Sequence, residues 1–139
     1  MVNILEEIRK TLTASPLFEG DRINVNYIGT NMAYSLDPLP CDPIIQRYVD
    51  GGARKQYQFA FMSKDENDED VRINIENSGF YEAFEDLLEE LNNSGNLPDL
   101  GLKKSALFFE TLNKGYLYDI DGNKAKYRIE CRLVYSQEV

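Results

Sequence analysis

Residues 125–135 read Ala-Lys-Tyr-Arg-Ile-Glu-Cys-Arg-Leu-Val-Tyr, and this stretch decides the fold of the chain. Apolar or aromatic side chains occupy every odd position, and charged side chains occupy the even positions up to 132. A period of two residues places alternate side chains on opposite faces of a β-strand, so that one face is buried and the other is wet. The sequence therefore predicts a long strand over residues 123–135.

Two shorter strands are predicted directly before it, over Ala106–Leu112 and Tyr116–Ile120. Turn-forming residues separate the three strands at residues 113–115 and at Asp121-Gly122. Because no helical period interrupts them, the last third of the chain is expected to be an antiparallel meander.

The register of the last hairpin follows from its turn. A two-residue type I′ turn at Asp121-Gly122 places Tyr118 opposite Ala125. It also places Tyr116 opposite Tyr127, so that aromatic side chains meet on one face of the hairpin.

A long amphipathic helix is predicted upstream, over Val71–Asn92. Its apolar side chains recur every three or four residues and form one stripe: Phe80, Phe84, Leu87, Leu88 and Leu91. Gly79 costs about 1 kcal/mol in a helix interior, so a kink or a fresh start is expected there, with Asn77 or Ser78 as its cap. Gly95 then supplies a stop, and residues 98–104 are predicted to be a linker.

A shorter amphipathic helix is predicted at the start, within Val2–Leu17. Its apolar face holds Ile4, Leu5, Ile8 and Leu12. The helix should end near Ser15, because Pro16 cannot continue the hydrogen-bond ladder. Alternation of apolar and polar residues then predicts a strand over Asp21–Ile28.

The central segment predicts a hairpin. A short strand over Met32–Leu36 leads into a loop at residues 37–43, where three prolines fix an extended backbone. Strands over Ile44–Val49 and Arg54–Met62 then flank the turn signal Asp50-Gly51-Gly52. In the second arm the alternate aromatic residues are expected to face the core: Tyr57, Phe59 and Phe61.

These elements predict an α+β fold: an antiparallel, mostly meander, twisted β-sheet with an N-terminal helix and one long central helix packed on it. A chain of 139 residues with 42% hydrophobic residues can bury a sizeable core without staples. Since no repeat or interdomain linker is visible, residues 1–139 are expected to form one domain.

Charge and cysteine content restrict the function. The net charge of −9 repels phosphate backbones and disfavours sequence-specific nucleic-acid binding. The two cysteines, together with the lack of a secretory signal pattern, predict reduced thiols in the cytosol. Because no apolar run approaches the ~20 residues that cross a bilayer, no membrane role is expected.

The usual catalytic residues are missing. The chain contains no histidine, which removes the commonest general base and metal ligand. Two lone cysteines cannot complete a zinc site. Cys131, on the apolar side of a predicted strand, is interpreted as a small buried hydrophobe. Cys41, in the proline loop, is interpreted as an exposed or semi-exposed inert thiol.

Two acidic segments imitate calcium loops. In Asp65–Asp70 the sixth position is Asp70 where a calcium loop needs glycine, although Glu76 falls at the twelfth position. This segment is interpreted as a solvated loop before a helix. Asp119, Asp121 and Asn123 are better explained as turn residues.

Other candidate sites are equally weak. Gly51-Gly52 lacks the lysine and the further glycine of a phosphate-binding loop. The paired acids Glu82 with Glu85 and Glu89 with Glu90 fall on the wet side of the long helix. The sequence therefore predicts no catalytic, cofactor-binding or metal-binding residue, and the protein is not expected to be an enzyme.

Several stretches resemble one protein family in the same order along most of the chain. These stretches are Ile23–Gly29, Tyr34–Pro40, Tyr48–Gly51, Asn74–Tyr81, Gly95–Pro98, Asn113–Asp119 and Tyr127–Leu133. The family consists of small structural proteins, also called minor capsid proteins, from long-tailed phages and prophages of Gram-positive bacteria. It is similar to the phage tail-terminator group.

The resemblance implies a virion structural role. Tail terminators are α+β subunits that assemble into a hexameric ring, stop tail-tube growth and form the head-tail joining surface. Implied partners are further copies of the chain, the tail-tube protein and head-completion or connector proteins. The implied location is the bacterial cytoplasm during assembly and then the head-proximal end of the tail.

The sequence allows two other function classes. An acidic binding module, such as a DNA mimic or host-factor inhibitor, would use the same negative charge, but its carboxylates would have to follow one track. Lys126, Arg128 and Arg132 mix the signs in the last strand. A small-molecule enzyme would need its acid and base from residues other than histidine, and no motif supports one.

Overall fold

The computed structural model of the protein describes residues 3–15, 17, 23–25, 33–66, 71–121 and 124–139. Within these ranges the order is one helix, four strands, one helix and three strands. The elements are α1 (Ile4–Thr13), β1 (Ile23–Val25), β2 (Ala33–Pro38), β3 (Ile44–Arg47), β4 (Ala53–Glu66), α2 (Val71–Ser94), β5 (Lys104–Thr111), β6 (Tyr116–Asp121) and β7 (Lys124–Gln137). The predicted α+β class is confirmed.

Two long strands form the spine of the sheet. β4 and β7 have 14 residues each and pair antiparallel over their full length. The other edge of β4 pairs with β3 and β2, and the other edge of β7 pairs with β5 and β6. β1 adds a parallel strand beside β2. The long strand predicted from residues 123–135 is confirmed, and it extends to Gln137.

Both helices contribute to one hydrophobic core against the sheet. α1 buries Leu5, Ile8 and Leu12, as its sequence pattern predicts. The core residues contributed by α2 and by the two long strands are Tyr81, Phe84, Leu88, Leu91, Phe59, Phe61, Ile129, Cys131 and Leu133. Phe61 stacks on Phe84 with ring centroids 4.5 Å apart. Since each fully buried large apolar side chain contributes about 1.5–3 kcal/mol, this cluster fixes the helices on one face.

α1 is bounded by local hydrogen bonds. The side chain of Asn3 accepts from the backbone N–H of Glu6, which satisfies one free donor of the first turn. The helix ends at Thr13, with Ala14 as its C-cap, close to the predicted end at Ser15. The boundary therefore lies two or three residues before Pro16, which the prediction used as the stop.

β5 and β6 share one edge of β7, and Asn113 closes the gap between them. β5 pairs with β7 up to Cys131, and β6 pairs with it from Arg128. Between these positions the backbone of Glu130 makes two hydrogen bonds. The Glu130 carbonyl accepts from Leu112 N–H at 2.7 Å, and the Glu130 N–H donates to Asn113 Oδ1 at 3.0 Å. β6 and β7 are consecutive strands and pair directly, as the predicted meander requires. β5 departs from the meander, because it pairs with β7 and not with the next strand in sequence, β6.

The register predicted for the last hairpin is wrong. Tyr116 pairs with Arg128 rather than with Tyr127, and Ala125 pairs with Ile120 rather than with Tyr118. A register shift follows Leu117, because an irregularity inserts one extra residue before Asp119. The pairing also continues one residue further than predicted, to Asp121 opposite Lys124. Residues 122 and 123 lie outside the described residues.

The kink or fresh start predicted at Gly79 is also wrong. α2 is continuous from Val71 to Ser94 and passes through Gly79 without a break. Packing of Tyr81 and Phe84 into the core outweighs the intrinsic cost of one glycine. The predicted stop is confirmed, since Gly95 adopts a φ of +77° and its N–H donates to Leu91 O.

Two predicted strand ends lie elsewhere. β2 continues to Pro38, which the sequence placed in the proline loop. Proline fits there because, among the described residues, β1 pairs with β2 only as far as Leu36, so no described strand on that edge needs an N–H from position 38. β4 continues to Glu66 instead of ending at Met62, because β7 supplies pairing partners as far as Lys124. Most of the strand predicted over residues 21–28 lies outside the described residues.

Candidate interaction surface

The two thiols have different environments, as the sequence predicts. Cys131 is fully buried on the helix-covered side of β7, and Cys41 is half-buried in the proline loop. Burial raises the pKa of the Cys131 thiol well above its usual range, with Glu85 and Glu130 adding to the effect. A thiol with a raised pKa holds its proton and is a poor nucleophile.

The acidic candidates do not converge. Within the described ranges, no group of three or more cysteine or acidic side chains is arranged to hold a metal ion. Asp65 and Glu66 belong to β4, whereas residues 67–70 lie outside the described residues. Asp119 and Asp121 belong to β6. Asn123 lies outside the described residues.

One polar pair is buried in the core, and the sequence did not single it out. The hydroxyls of Ser63 and Tyr81 form a hydrogen bond of 2.6 Å between β4 and α2. Burial raises the pKa of the Tyr81 phenol, and the hydrogen bond with Ser63 opposes part of that rise. The pair satisfies two polar groups and positions α2 along the sheet.

The face of the sheet away from the helix core carries paired charges. Arg132 on β7 donates to the Glu110 carboxylate on β5 at 2.7 and 2.9 Å. It also donates to Gln56 Oε1 on β4 at 3.2 Å, so one guanidinium joins three strands. Cations and anions alternate on this face, and it therefore differs from a continuous phosphate-like track.

The turn between β3 and β4 is rigidly built. We call residues Arg47–Arg54 the hairpin tip. The N–H of Tyr48 donates to Gly52 O at 2.8 Å, and the N–H of Gly52 donates to Asp50 Oδ1 at 2.9 Å. Gly51 adopts a φ of +95°, which favours glycine. The predicted turn is confirmed, and Gly51 and Gly52 form part of it.

A second turn lies beside the hairpin tip. The N–H of Glu138, just past β7, donates to Lys103 O at 2.7 Å in the turn before β5. A Cβ built at Gly51 would lie 3.0 Å from a methyl group of Val139, so these segments are in contact. The hairpin tip and residues 101–104 therefore belong to one end of the sheet.

Two aliphatic side chains project from this end. Val49 is fully exposed at the hairpin tip, and Leu102 is 95% exposed in the neighbouring turn. Tyr48 and Ile45 are also exposed. The sequence placed Val49 in a strand, so its projection was not predicted. The alternation pattern reports burial against the core and carries no information about side chains in a turn.

A groove lies between the two helices. We call it the helix groove. Its volume is about 500 Å³, and the described residues that line it are Thr11 of α1, Ala14 and Ser15 just after α1, Leu87, Glu90, Leu91 and Ser94 of α2, and Asn96 and Leu97 beyond α2. Leu87 and Leu97 are only partly buried. The groove is therefore of mixed polarity, with three leucines among hydroxyl, amide and carboxylate side chains.

The two regions differ in charge balance: basic residues outnumber Asp50 and Glu138 around the hairpin tip, whereas acids predominate on the exposed side of α2. The basic residues near the hairpin tip are Arg47, Arg54, Lys55, Lys103 and Lys104, and none of them forms an ion pair with another described residue. The exposed carboxylates of α2 are Glu82, Asp86, Glu89 and Glu90, also without ion pairs in the described part of the chain. The sequence predicted that the pairs Glu82 with Glu85 and Glu89 with Glu90 lie on the wet side of this helix. The prediction holds for Glu82, Glu89 and Glu90, whereas Glu85 is half-buried and pairs with Lys114.

Comparison with protein-family models and with characterised proteins identified no match. Among the described helices, neither is long and apolar enough to cross a membrane.

Proposed function

We propose that the protein is a structural subunit of a phage tail, a terminator that forms a ring, caps the tail tube and contributes the head-joining surface. The proposal rests on the ordered resemblance to that protein group and on one structural observation. Val49 and Leu102 project into solvent from neighbouring turns of a well-packed domain.

Exposed aliphatic side chains on two adjacent turns favour an assembly role. Each buried aliphatic side chain gains about 1.5–3 kcal/mol when it leaves water, so their exposure in the single subunit leaves stabilisation available to a contact. Hydrogen bonds within the tip hold Val49 in place, which limits the entropy lost on association. A rigid apolar projection of this kind suits a permanent partner.

The net charge of −9 suits a ring through which DNA passes. Phosphates are repelled by an excess of carboxylates and therefore do not bind as they slide past. The role needs no catalytic group, cofactor or metal, and we propose that the protein is not an enzyme.

Tail-tube assembly tests the proposed function. The tail-tube protein from the same genome is polymerised with and without this chain, and tube lengths are measured by negative-stain electron microscopy. Tubes should become shorter and carry this chain at one end only. Unchanged tube lengths, with no chain at the tube ends, would overturn the proposal.

A further inference from the structure

We infer that neighbouring copies of the chain contact each other by seating the hairpin tip of one copy in the helix groove of the next. The inference rests on the proposed function, since it names the contact that would build the ring. It is argued from shape, polarity and charge on the two surfaces.

The hairpin tip has the form of a projection. Val49 is fully exposed at its apex, and the exposed Tyr48 stands beside it. The backbone hydrogen bonds of Tyr48 and Gly52 make the turn rigid. A short, rigid, apolar projection requires a concave apolar partner, because a flat polar surface would bury it poorly.

The helix groove has the matching form. Its volume of about 500 Å³ exceeds the ~150 Å³ that holds a benzene-sized group, so it is large enough for side chains of the size of Val49 and Tyr48. Leu87, Leu91 and Leu97 line it and would lie against the inserted aliphatic and aromatic groups. These three leucines thus offer the apex of the tip an apolar contact within a groove of mixed polarity.

The charges around the two surfaces are opposite. The tip begins and ends with Arg47 and Arg54 and contains one acid, Asp50, whose carboxylate accepts from Gly52 N–H, so its net charge is positive. Glu90 lines the groove, and Glu89 is exposed next to it in α2. These side chains are free of ion pairs with other described residues. Insertion of the tip would bring arginines to carboxylates, which favours this orientation and disfavours a tip-to-tip contact between like charges.

The placement of the two surfaces favours a ring. The tip lies at one end of the sheet, and the groove lies between the helices that cover one face of it. A contact between different surfaces of two copies is heterologous, so it can repeat from copy to copy. The copies form a closed ring when the rotation between neighbouring subunits divides a full turn.

Charge exchange tests the contact. Arg47→Glu with Arg54→Glu, and separately Glu89→Arg with Glu90→Arg, are compared with the unchanged protein by light scattering across a dilution series. Each double variant should associate at least about tenfold more weakly, because like charges then meet. A mixture of the two variants should recover association, since each supplies the surface that complements the other.

Two further variants complete the design. Val49→Asp should weaken association through the apolar part of the contact, and circular dichroism checks that each variant is folded. Lys126→Glu, a matched reversal at a half-exposed site on the other face of the sheet, should leave association unchanged. If the unchanged protein associates but neither double variant weakens it, this contact is overturned while the ring proposal stands. An unchanged protein that stays monomeric both alone and with the tail-tube protein, and does not bind tubes, overturns both.

Discussion

At the scale of single residues, Gly115 marks a tight contact that a motif search cannot find. A Cβ built at this position would lie 2.5 Å from Cγ of Tyr81, well inside contact distance. The chain between β5 and β6 therefore passes directly over the ring that bonds to Ser63. Gly79, by contrast, has no atom within 4 Å of a built Cβ.

Gly115→Ala should lower the free energy of unfolding by about 1–3 kcal/mol, because the ring of Tyr81 and the backbone must move apart. Gly79→Ala is the matched control and should raise stability by about 0.5–1 kcal/mol, since alanine is the better helix former. Urea denaturation of both variants measures the difference. Equal effects of the two substitutions would contradict the close contact at Gly115.

The buried Cys131 and Tyr81 predict a loss of stability in alkali. Folding raises the pKa of both groups above their ordinary values of 9.0 and 10.0. The contribution of these two protonated groups to the free energy of unfolding is therefore complete below pH 9. It declines as pH rises, because the unfolded chain then releases protons that the folded chain retains. Cys131→Ala should flatten the first part of this decline, measured by urea denaturation between pH 7 and 10.5. An identical decline in the variant would contradict the account of the buried thiol.

At the scale of elements, asparagine side chains complete the ladders that strands leave open. Asn92 of α2 donates to Phe109 O at 2.8 Å and accepts from Phe109 N–H at 2.7 Å. A side-chain amide thus takes the place of a neighbouring strand at the outer edge of β5. Asn113 serves β7 in a similar way at Glu130.

Asn92→Ala should cost about 1–3 kcal/mol of stability, because it leaves a backbone donor and acceptor of Phe109 without their partner. The neighbouring Asn93, which is exposed, provides the control: Asn93→Ala should change stability by less than about 0.5 kcal/mol. Thermal and urea denaturation measure both variants. A small effect at Asn92 would show that the helix is held on β5 by apolar contacts alone.

The elements themselves were largely predictable, and their exact pairing was not. Alternation in residues 125–135 and the apolar stripe from Phe80 to Leu91 each report burial directly, so the long strand and the long helix were found. The irregularity after Leu117 has no such signal, because an inserted residue changes the register without changing the residue types. The continuity of α2 through Gly79 depends on tertiary packing, which outweighs local propensity.

At the scale of the whole molecule, the candidate surface arises from parts far apart in sequence. Val49 and Leu102 come to one end of the sheet only because β4 and β7 pair over their full length. The sequence showed the negative net charge and the wet acids of α2. Their position relative to the hairpin tip depends on the fold, so the sequence could not reveal the two surfaces that we propose to be complementary.

The most direct test of the ring proposal is the mass of the protein in solution. Size-exclusion chromatography with light scattering, run over a range of micromolar concentrations, reports whether copies of the 16.0 kDa chain associate. The account predicts one closed species, six chains in mass, either alone or on addition of the tail-tube protein. A mass of 16.0 kDa under every condition, with no association with tubes, would contradict it.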